Sequence, residues 1–453
     1  MAKSWKKALF VFSVAVVLLG CWRTSASKES NAPSAKCILC IFLREKELMT
    51  RENWHSKPLD VRTAEKNVGR YDAFWCSQIM AQYNRPVWEF LRRNRPDQIM
   101  LYYITGTGIR KTDVRTYFDY DYIESYHPEW FLLKDARNAT LEDYKDKDKR
   151  IRWAPSDPTS SYYHQFYIDV TNKDFQKWAA DQILAFVSGK KGGVAYSYDG
   201  LAMDNVYVGG RLHQRFRNKY PHWKYASNFK SWSEGFGEYL KTVKKVLNQH
   251  GFILVVNHNP VGRDRSNNQE VWDILYESAD GILTEQALRS GWRDSSYFAD
   301  DEWLAAMARH EEILEKGLIN WWACLPPQSS SRAHDVFLYT YCSWLLIKKP
   351  GKSFYSAAGG SVASKRTVLW YDAYDLAIGT PTSRRYPQNG CWFRDYSSAK
   401  IVVNPTRTVR RVVIDNEKPW LDWKFKKQVR ELAIPPQSGR ILLPISQGAT
   451  GRH

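Results

Sequence analysis

The sequence predicts an α/β fold: a (β/α)8 TIM barrel followed by a small C-terminal all-β domain. Three observations predict it. From residue 37 onward, apolar strand-like runs alternate with amphipathic helical stretches. No dinucleotide-type glycine fingerprint accompanies them, which favours a barrel over a doubly wound sheet. Past residue 385 the chain breaks into short strands split by turns. The length of 453 residues holds one barrel of about 250 residues with additional material.

In chain order, Cys37–Leu43 reads as a first strand and Tyr71–Arg93 as a helix. Gln98–Ile104 is a strand, Trp130–Leu133 a short one, and Phe166–Val170 another. Asn172–Val187 is a helix with Phe175, Trp178, Ala179, Ile183 and Phe186 on one face. Gly200–Met203 is a short strand that ends at Asp204-Asn205, and Lys230–Gln249 is a helix. Phe252–Val256 ends at Asn257-His258-Asn259, and Gly281–Thr284 ends at Glu285. Glu302–Lys316 is a helix, Leu318–Ala323 a strand, Asp335–Lys348 a helix and Ser353–Ser356 a weaker strand. Cys391–Tyr396, Lys400–Val403, Arg410–Ile414 and Arg440–Leu443 are strands of the appended β region. The expected division is 37–384 for the barrel and 385–453 for the β domain.

The N-terminus reads as an export signal over 1–20 and a tether over 21–36. Lys3, Lys6 and Lys7 precede an apolar run from Ala8 to Leu19, which is too short for an ordinary membrane span. Leu18-Leu19-Gly20-Cys21 resembles a bacterial lipoprotein box, which would put a lipid anchor on Cys21. Cleavage after Ala26 is the alternative. The expectation is an exported protein, lipid-anchored at a cell envelope or secreted. Cys37-x-x-Cys40 has no second pair at zinc spacing and reads as part of a buried strand. Asn138-Ala-Thr140 fits a glycosylation sequon, which a bacterial lipoprotein would leave without meaning.

Composition narrows the function. Hydrophobic residues at 43% and charged residues at 25% describe a globular chain. Trp 20, Tyr 27 and Phe 19 are a heavy aromatic load, which serves either a large core or stacking against sugar rings. The formal charge of +18 suggests an acidic partner, but Lys and Arg are spread along the chain and no nucleic-acid-binding motif occurs. No metal-ligand spacing and no Gly-x-Ser-x-Gly elbow is present, so neither a metal nor another cofactor is expected.

Barrel enzymes carry their chemistry at the C-terminal ends of strands. Three strand ends here are polar: Asp204 with Asn205, Asn257 with His258, and Glu285 with Gln286. Two facing carboxyl groups are the minimum machinery for glycoside hydrolysis. One traps or stabilises the cationic sugar, and the other protonates the leaving oxygen. The pattern nominates Asp204 for the first role and Glu285 for the second, against the plainer reading that an Asp after a strand caps a helix or turn. Asp169 in Tyr167-Ile-Asp-Val-Thr-Asn172 reads as such a structural residue.

Certain stretches carry a family resemblance. Tyr167-Ile-Asp-Val-Thr-Asn172, Trp178-Ala-Ala-Asp-Gln-Ile183 and Tyr198-Asp-Gly-Leu-Ala-Met-Asp-Asn205, with Phe393-Arg394-Asp-Tyr396 and Val402-Val-Asn-Pro-Thr406, resemble a bacterial glycosyl-hydrolase-like family of TIM-barrel glycoside hydrolases. The similarity covers roughly residues 60–445. It implies a barrel acting on polysaccharide outside the cytoplasm. Asp204 matches the strand-four carboxylate, the nucleophile in related barrels, and Glu285 fills the strand-six place of the acid/base.

The resulting expectation is a glycoside hydrolase that cleaves a polysaccharide or oligosaccharide with Asp204 and Glu285. Asn205, Asn257 and Gln286 would hydrogen-bond sugar hydroxyls. Trp321 and Trp322 would offer stacking platforms (with one of the pair in the core), and Tyr103 and Tyr198 are further candidates for the pocket. The alternative is a carbohydrate-binding lipoprotein that has lost catalysis. The expected state is a monomer with a glycan partner and no nucleic acid.

Overall fold

The computed structural model describes residues 37–38, 71–76, 85–110, 119–153, 165–190, 198–209, 216, 218–258, 269–289, 296–324, 333–357, 370–415 and 417–445. Residues 1–36, with the signal, tether and Cys21, lie outside them, as does Cys40.

Eight strands run parallel in one sheet. They are β1 (Cys37–Ile38), β2 (Ala73–Cys76), β3 (Ile99–Thr105), β6 (Gly200–Asp204), β7 (Ile253–Asn257), β8 (Gly281–Glu285), β9 (Ile319–Ala323) and β10 (Ser353–Ser356). Each hydrogen-bonds the next in that order, and β10 lies beside β1, which curls the sheet into a barrel. A short antiparallel pair, β4 (Gly108–Arg110) and β5 (Gln165–Tyr167), stands outside the ring in the long excursion between β3 and β6.

The barrel strands are buried on both faces, so they read as continuous apolar runs rather than alternations. Alternation survives in where the side chains go. Ala73, Leu101, Ala202, Val255, Leu283, Trp321 and Phe354 fill the barrel interior. Their neighbours Tyr102, Leu201, Met203, Leu254, Val256 and Ile282 face outward against the helices. Gly200 and Gly281 open β6 and β8 where a Cβ would lie 2.2 Å and 2.6 Å from the next strand's Ile253 and Ile319, so only glycine lets those strands approach there.

Helices α1 (Arg85–Asn94), α4 (Lys173–Val187), α5 (Phe229–Gln249), α6 (Gln269–Ser278), α7 (Asp300–Glu315) and α8 (Ala333–Ile347) form the outer layer, and α2 (Tyr120–Tyr126) and α3 (Leu141–Lys145) lie in the excursion. The sequence explains α4 well. Asn172 caps it, its Oδ1 accepting from the amides of Asp174 and Phe175 at 3.0 Å. Phe175, Ala179, Ile183 and Phe186 then bury one stripe. Helix α5 is capped by Asn228 and ends at Gly251, whose φ of +79° an L side chain would resist.

Beyond the barrel, six strands form an antiparallel sheet in the order β11 (Tyr386–Gln388), β12 (Cys391–Tyr396), β13 (Ala399–Asn404), β18 (Ser438–Pro444), β15 (Trp420–Asp422), β16 (Lys427–Val429). A two-stranded ladder pairs β14 (Arg410–Val413) with β17 (Glu431–Ile434). One face of the sheet encloses Phe393, Val402 and Leu442 with Val412 and Ile434, and the other packs Tyr396, Ile401, Val403 and Ile441 onto α8.

Two elements differ from expectation. Tyr71–Arg93 is not one helix: β2 occupies Ala73–Cys76, and α1 begins only at Arg85. Ala-Phe-Trp-Cys is too short and too uniformly apolar to show a strand period. Trp130–Leu133 is not a strand either. Pro128–Trp130 forms a 3-10 turn, and Phe131 and Leu133 make only isolated bridges to Ile168 and Arg150. Pro128 pre-sets the turn at its first position.

Candidate active site

The inward phase of the barrel, followed to its C-terminal rim, places Tyr103 on β3, Asp204 on β6, Asn257 on β7 and Glu285 on β8 around one mouth. All four are half-buried, whereas the layer beneath is closed by Leu101, Ala202, Val255, Leu283 and Trp321.

Asp204 is the most constrained of them. Tyr103 donates its hydroxyl to Oδ2 at 2.7 Å, and Asn257 donates Nδ2 to Oδ1 at 2.8 Å. The backbone amide of Asn205 reaches Oδ1 at 2.7 Å, and its Nδ2 reaches Oδ2 at 3.2 Å. Asn205 is itself held by the Tyr207 hydroxyl on its Oδ1 at 2.9 Å. Burial raises the Asp204 carboxyl above its ordinary range, while the donors from Tyr103, the Asn205 amide and Asn257 pull it back toward the charged form. Each donor points at a carboxylate, so each bond is strongest when Asp204 is ionised.

The turn after each candidate carboxylate is unusual. Asn205 has φ +56° and Gln286 has φ +57°. Left-handed backbone at a non-glycine residue is uncommon, and more so for Gln than for Asn. Each bends the chain sharply where the strand stops and leaves Asp204 and Glu285 as last residues on the rim. The amide of Gly106 on the backbone oxygen of Asp204 (2.8 Å) and that of Gln286 on Ala323 O (2.5 Å) tie these turns to neighbouring strands. Sequence inspection missed this signal because neither residue is glycine.

The other candidates are distributed unevenly. Gln286 is buried, and its Oε1 is engaged by the Arg289 Nε at 2.5 Å. Trp321 lies inside the barrel one layer below Glu285, against Phe354 at 5.7 Å, and forms floor rather than wall. Trp322 turns outward and is fully buried with Trp344 and Leu314, its ring 4.4 Å from His310, so it has no face toward the mouth. Tyr198 precedes β6 and packs edge-on against Tyr102 at 4.9 Å, at the opposite end of the barrel from Asp204. His258 stands edge-on to Trp272 at 5.3 Å. Asp169 gathers the Thr171 hydroxyl (2.8 Å), Lys224 (2.7 Å) and Tyr225 (2.8 Å), which fastens the start of α4 to the loop after β6.

The C-terminal motifs are structural ties. Arg394 donates to the carbonyls of Leu345 (3.1 Å), Lys348 (2.9 Å) and Ser383 (3.1 Å), and the Tyr396 hydroxyl to Leu345 O (2.6 Å). They close the free carbonyls at the end of α8 and seat the β sheet on it. Asn404, fully buried, holds Thr406 and the carbonyls of Thr408, Ile434 and Pro435.

Among solved structures the chain is similar to the trehalulose synthase MutB, with a TM-score of 0.54 at 9% identity over 90% of this chain and 99% of that one. It is also similar to the isomaltulose synthase of Erwinia rhapontici NX5, with a TM-score of 0.50 at 10% identity over 90% and 98%. At such identities the likeness speaks for the barrel fold alone. No curated protein matches the chain in sequence. The model of a family described as hypothetical glycosyl hydrolase family 15 matches residues 92–400, more than half of the chain and nearly all of the barrel from α1 through β10, and the chain belongs to that family.

Proposed function

We propose that this protein hydrolyses glycosidic bonds of an oligosaccharide or polysaccharide, with Asp204 as nucleophile or charge stabiliser and Glu285 as general acid/base. The observation that carries it is the clamp on Asp204: donors from two flanking strands and from its own turn fix a carboxylate at the mouth of the barrel. A nucleophile must present one oxygen to the anomeric carbon at a set angle, and such a clamp removes the rotation that would spoil it. Glu285 stands two strands away in the inward phase, two residues beyond Leu283, which is the residue level with Asn257, so its Cα is about 12 Å from that of Asp204. The proposed chemistry requires both carboxyls to turn into the mouth and close that gap to the spacing of a glycosidase pair. Membership of a glycosyl hydrolase family supports the same chemistry. The solved neighbours are named for transformations of sugars, which agrees with a glycan substrate. Export, with a lipid anchor on Cys21, would place the enzyme where polysaccharides are met.

The test is reducing-end release from a panel of polysaccharides by the wild type, Asp204→Asn and Glu285→Gln, with folding verified by circular dichroism. Loss of at least about a hundredfold in both folded variants supports the assignment. Activity that survives Asp204→Asn refutes it. Glycan binding without release by the wild type points instead to a binding protein.

A further inference from the structure

The hairpin joining β15 to β16 reads Trp420-Leu-Asp-Trp-Lys-Phe-Lys-Lys-Gln-Val-Arg430, aromatic rings interleaved with cations. It lies beyond the residues matched by the family. Its turn is rigid. Asp422, buried, accepts the backbone amides of Lys424 (3.0 Å) and Phe425 (3.4 Å), and Lys426 takes φ +54° to complete it.

The turn is also fastened to the barrel. Lys424 pairs with Asp335, and Trp423 stacks on His334 at 6.3 Å. Both partners sit in the first turn of α8. That helix follows β9, so its first turn is on the same end of the barrel as Asp204 and Glu285. With Lys424 and Trp423 so engaged, the outward parts of the tip are Phe425, 50% exposed, with Lys426 and Lys427 beside it. Neither of those two lysines forms an ion pair among the described residues. The rings sit among cations: Lys426 Nζ is 4.9 Å from the Trp423 centroid and Arg440 Cζ 5.0 Å from that of Phe425.

We propose that this tip is an accessory binding site for an anionic polysaccharide. The proposal rests on the glycosidase reading and narrows its substrate to glycans bearing carboxylate or sulfate groups. Phe425 supplies a flat apolar surface for a sugar ring, and Lys426 and Lys427 supply the charge for its anionic substituents. A chain with a formal charge of +18 would draw the same polymer in. An acidic membrane would meet the same cations. The tip exposes a single large apolar side chain, however, too little to insert, and its contacts tie it to the rim where a polymer leaves the mouth.

The experiment is biolayer interferometry of the full chain on immobilised polygalacturonate and chondroitin sulfate, with dextran as the neutral control and phosphatidylglycerol vesicles as the membrane control. Runs are made at about 0.15 M salt. Lys426→Glu/Lys427→Glu should weaken binding to one or both anionic polymers by about tenfold or more. Phe425→Ala should weaken it about fivefold. Lys177→Glu/Lys190→Glu, the same charge change on exposed lysines of α4 and its C-terminal turn, should leave it unchanged. Asp204→Asn should bind like the wild type, so a failed catalytic assignment, read from sugar release, stays separate from a failed binding site. No binding to either polymer, equal loss in the two double variants, full binding by Phe425→Ala, or binding to vesicles alone would each overturn the proposal.

Discussion

Asn257 donates its side-chain amide to Asp204 Oδ1 at 2.8 Å across the join between β7 and β6. The register makes the bond possible: Met203 is level with Val256, so the next residue up each strand, 204 on one and 257 on the other, is level too and shares the inward face. Tyr103 approaches from the other side, on β3, where Thr105 is level with Asp204. The carboxylate is therefore gripped from both neighbouring strands. Asn257→Ala removes one grip and leaves the backbone intact. A hydrogen bond to a charged group is worth about 1.5–3 kcal/mol, so kcat/KM should fall roughly tenfold to a hundredfold with little change in Tm. An unchanged kcat/KM would show that the grip does not serve the reaction.

Tyr103→Phe tests the electrostatics of the same group. Burial raises the Asp204 carboxyl, and the Tyr103 hydroxyl is the first of the donors that lower it. Without that donor the carboxyl rises further. A nucleophile must be ionised, so the acid limb of the kcat/KM profile, which reports the free enzyme, should move to higher pH. A limb that stays in place or moves down would contradict the role of Asp204.

The same shift has a consequence for stability. A carboxyl raised on folding binds its proton more tightly in the native state, so its contribution is full below the unfolded value of about 3.9 and is lost as pH rises through the folded value. Asp204→Asn carries no such dependence. The Tm difference between variant and wild type should therefore grow in favour of the variant as pH rises from about 4 toward neutrality. Equal Tm profiles would mean that the clamp fully offsets the burial of the charge.

Much of the barrel was legible because parallel strands buried on both faces appear as apolar runs, and the runs ending at Asp204, Asn257 and Glu285 stop at a polar residue. Gly281–Glu285 and Ile253–Asn257 were readable for that reason, to within one residue. Burial on both faces also hid which tryptophan of Ile319–Ala323 points where. Trp321 and Trp322 are adjacent, so one enters the barrel and the other the helical layer, and neither is left open at the rim. Tyr198 belongs to the strand's beginning rather than its end, a distinction fixed by sheet direction. Helix α6 escaped notice although Val271, Trp272, Leu275 and Tyr276 recur at helical spacing on its buried face, because at ten residues it offers only two such repeats. The bond between Asn257 and Asp204 joins residues 53 apart and depends on register, which no local pattern encodes.

Arg394 offers a prediction about architecture. Two of its three carbonyl contacts join the β sheet to the last turn of α8 and the residue after it, and the third holds Ser383 ahead of β11. Arg394→Ala removes these donors, leaving Leu345 O to the Tyr396 hydroxyl alone, and should destabilise the protein by about 2 kcal/mol. Arg394→Lys, which cannot span three acceptors, should recover only part of that loss. Denaturant unfolding measures both. Equal stability of Arg394→Ala and the wild type would show that the sheet is held by its apolar face alone.

His310 contributes to the acid sensitivity of the fold. It is fully buried on α7, its ring tilted against Trp322 at 4.4 Å, with Nδ1 3.0 Å from Asn320 Oδ1. Burial pushes its pKa down to about 3, against the opposing pull of Asn320. The unfolded chain takes up the proton near pH 6.5, whereas the native state takes it up only near the depressed value. The contribution of His310 is thus complete above about pH 6.5 and is lost progressively as pH falls toward the folded value. His310→Gln, neutral throughout, should be less stable than the wild type at pH 7 because it packs less well against Trp322. Its Tm should nevertheless fall less steeply between about pH 6.5 and 4, so that the two curves converge. Parallel curves over that range would mean that His310 is already charged in the native state, and the ring against Trp322 would then be paired with an anion.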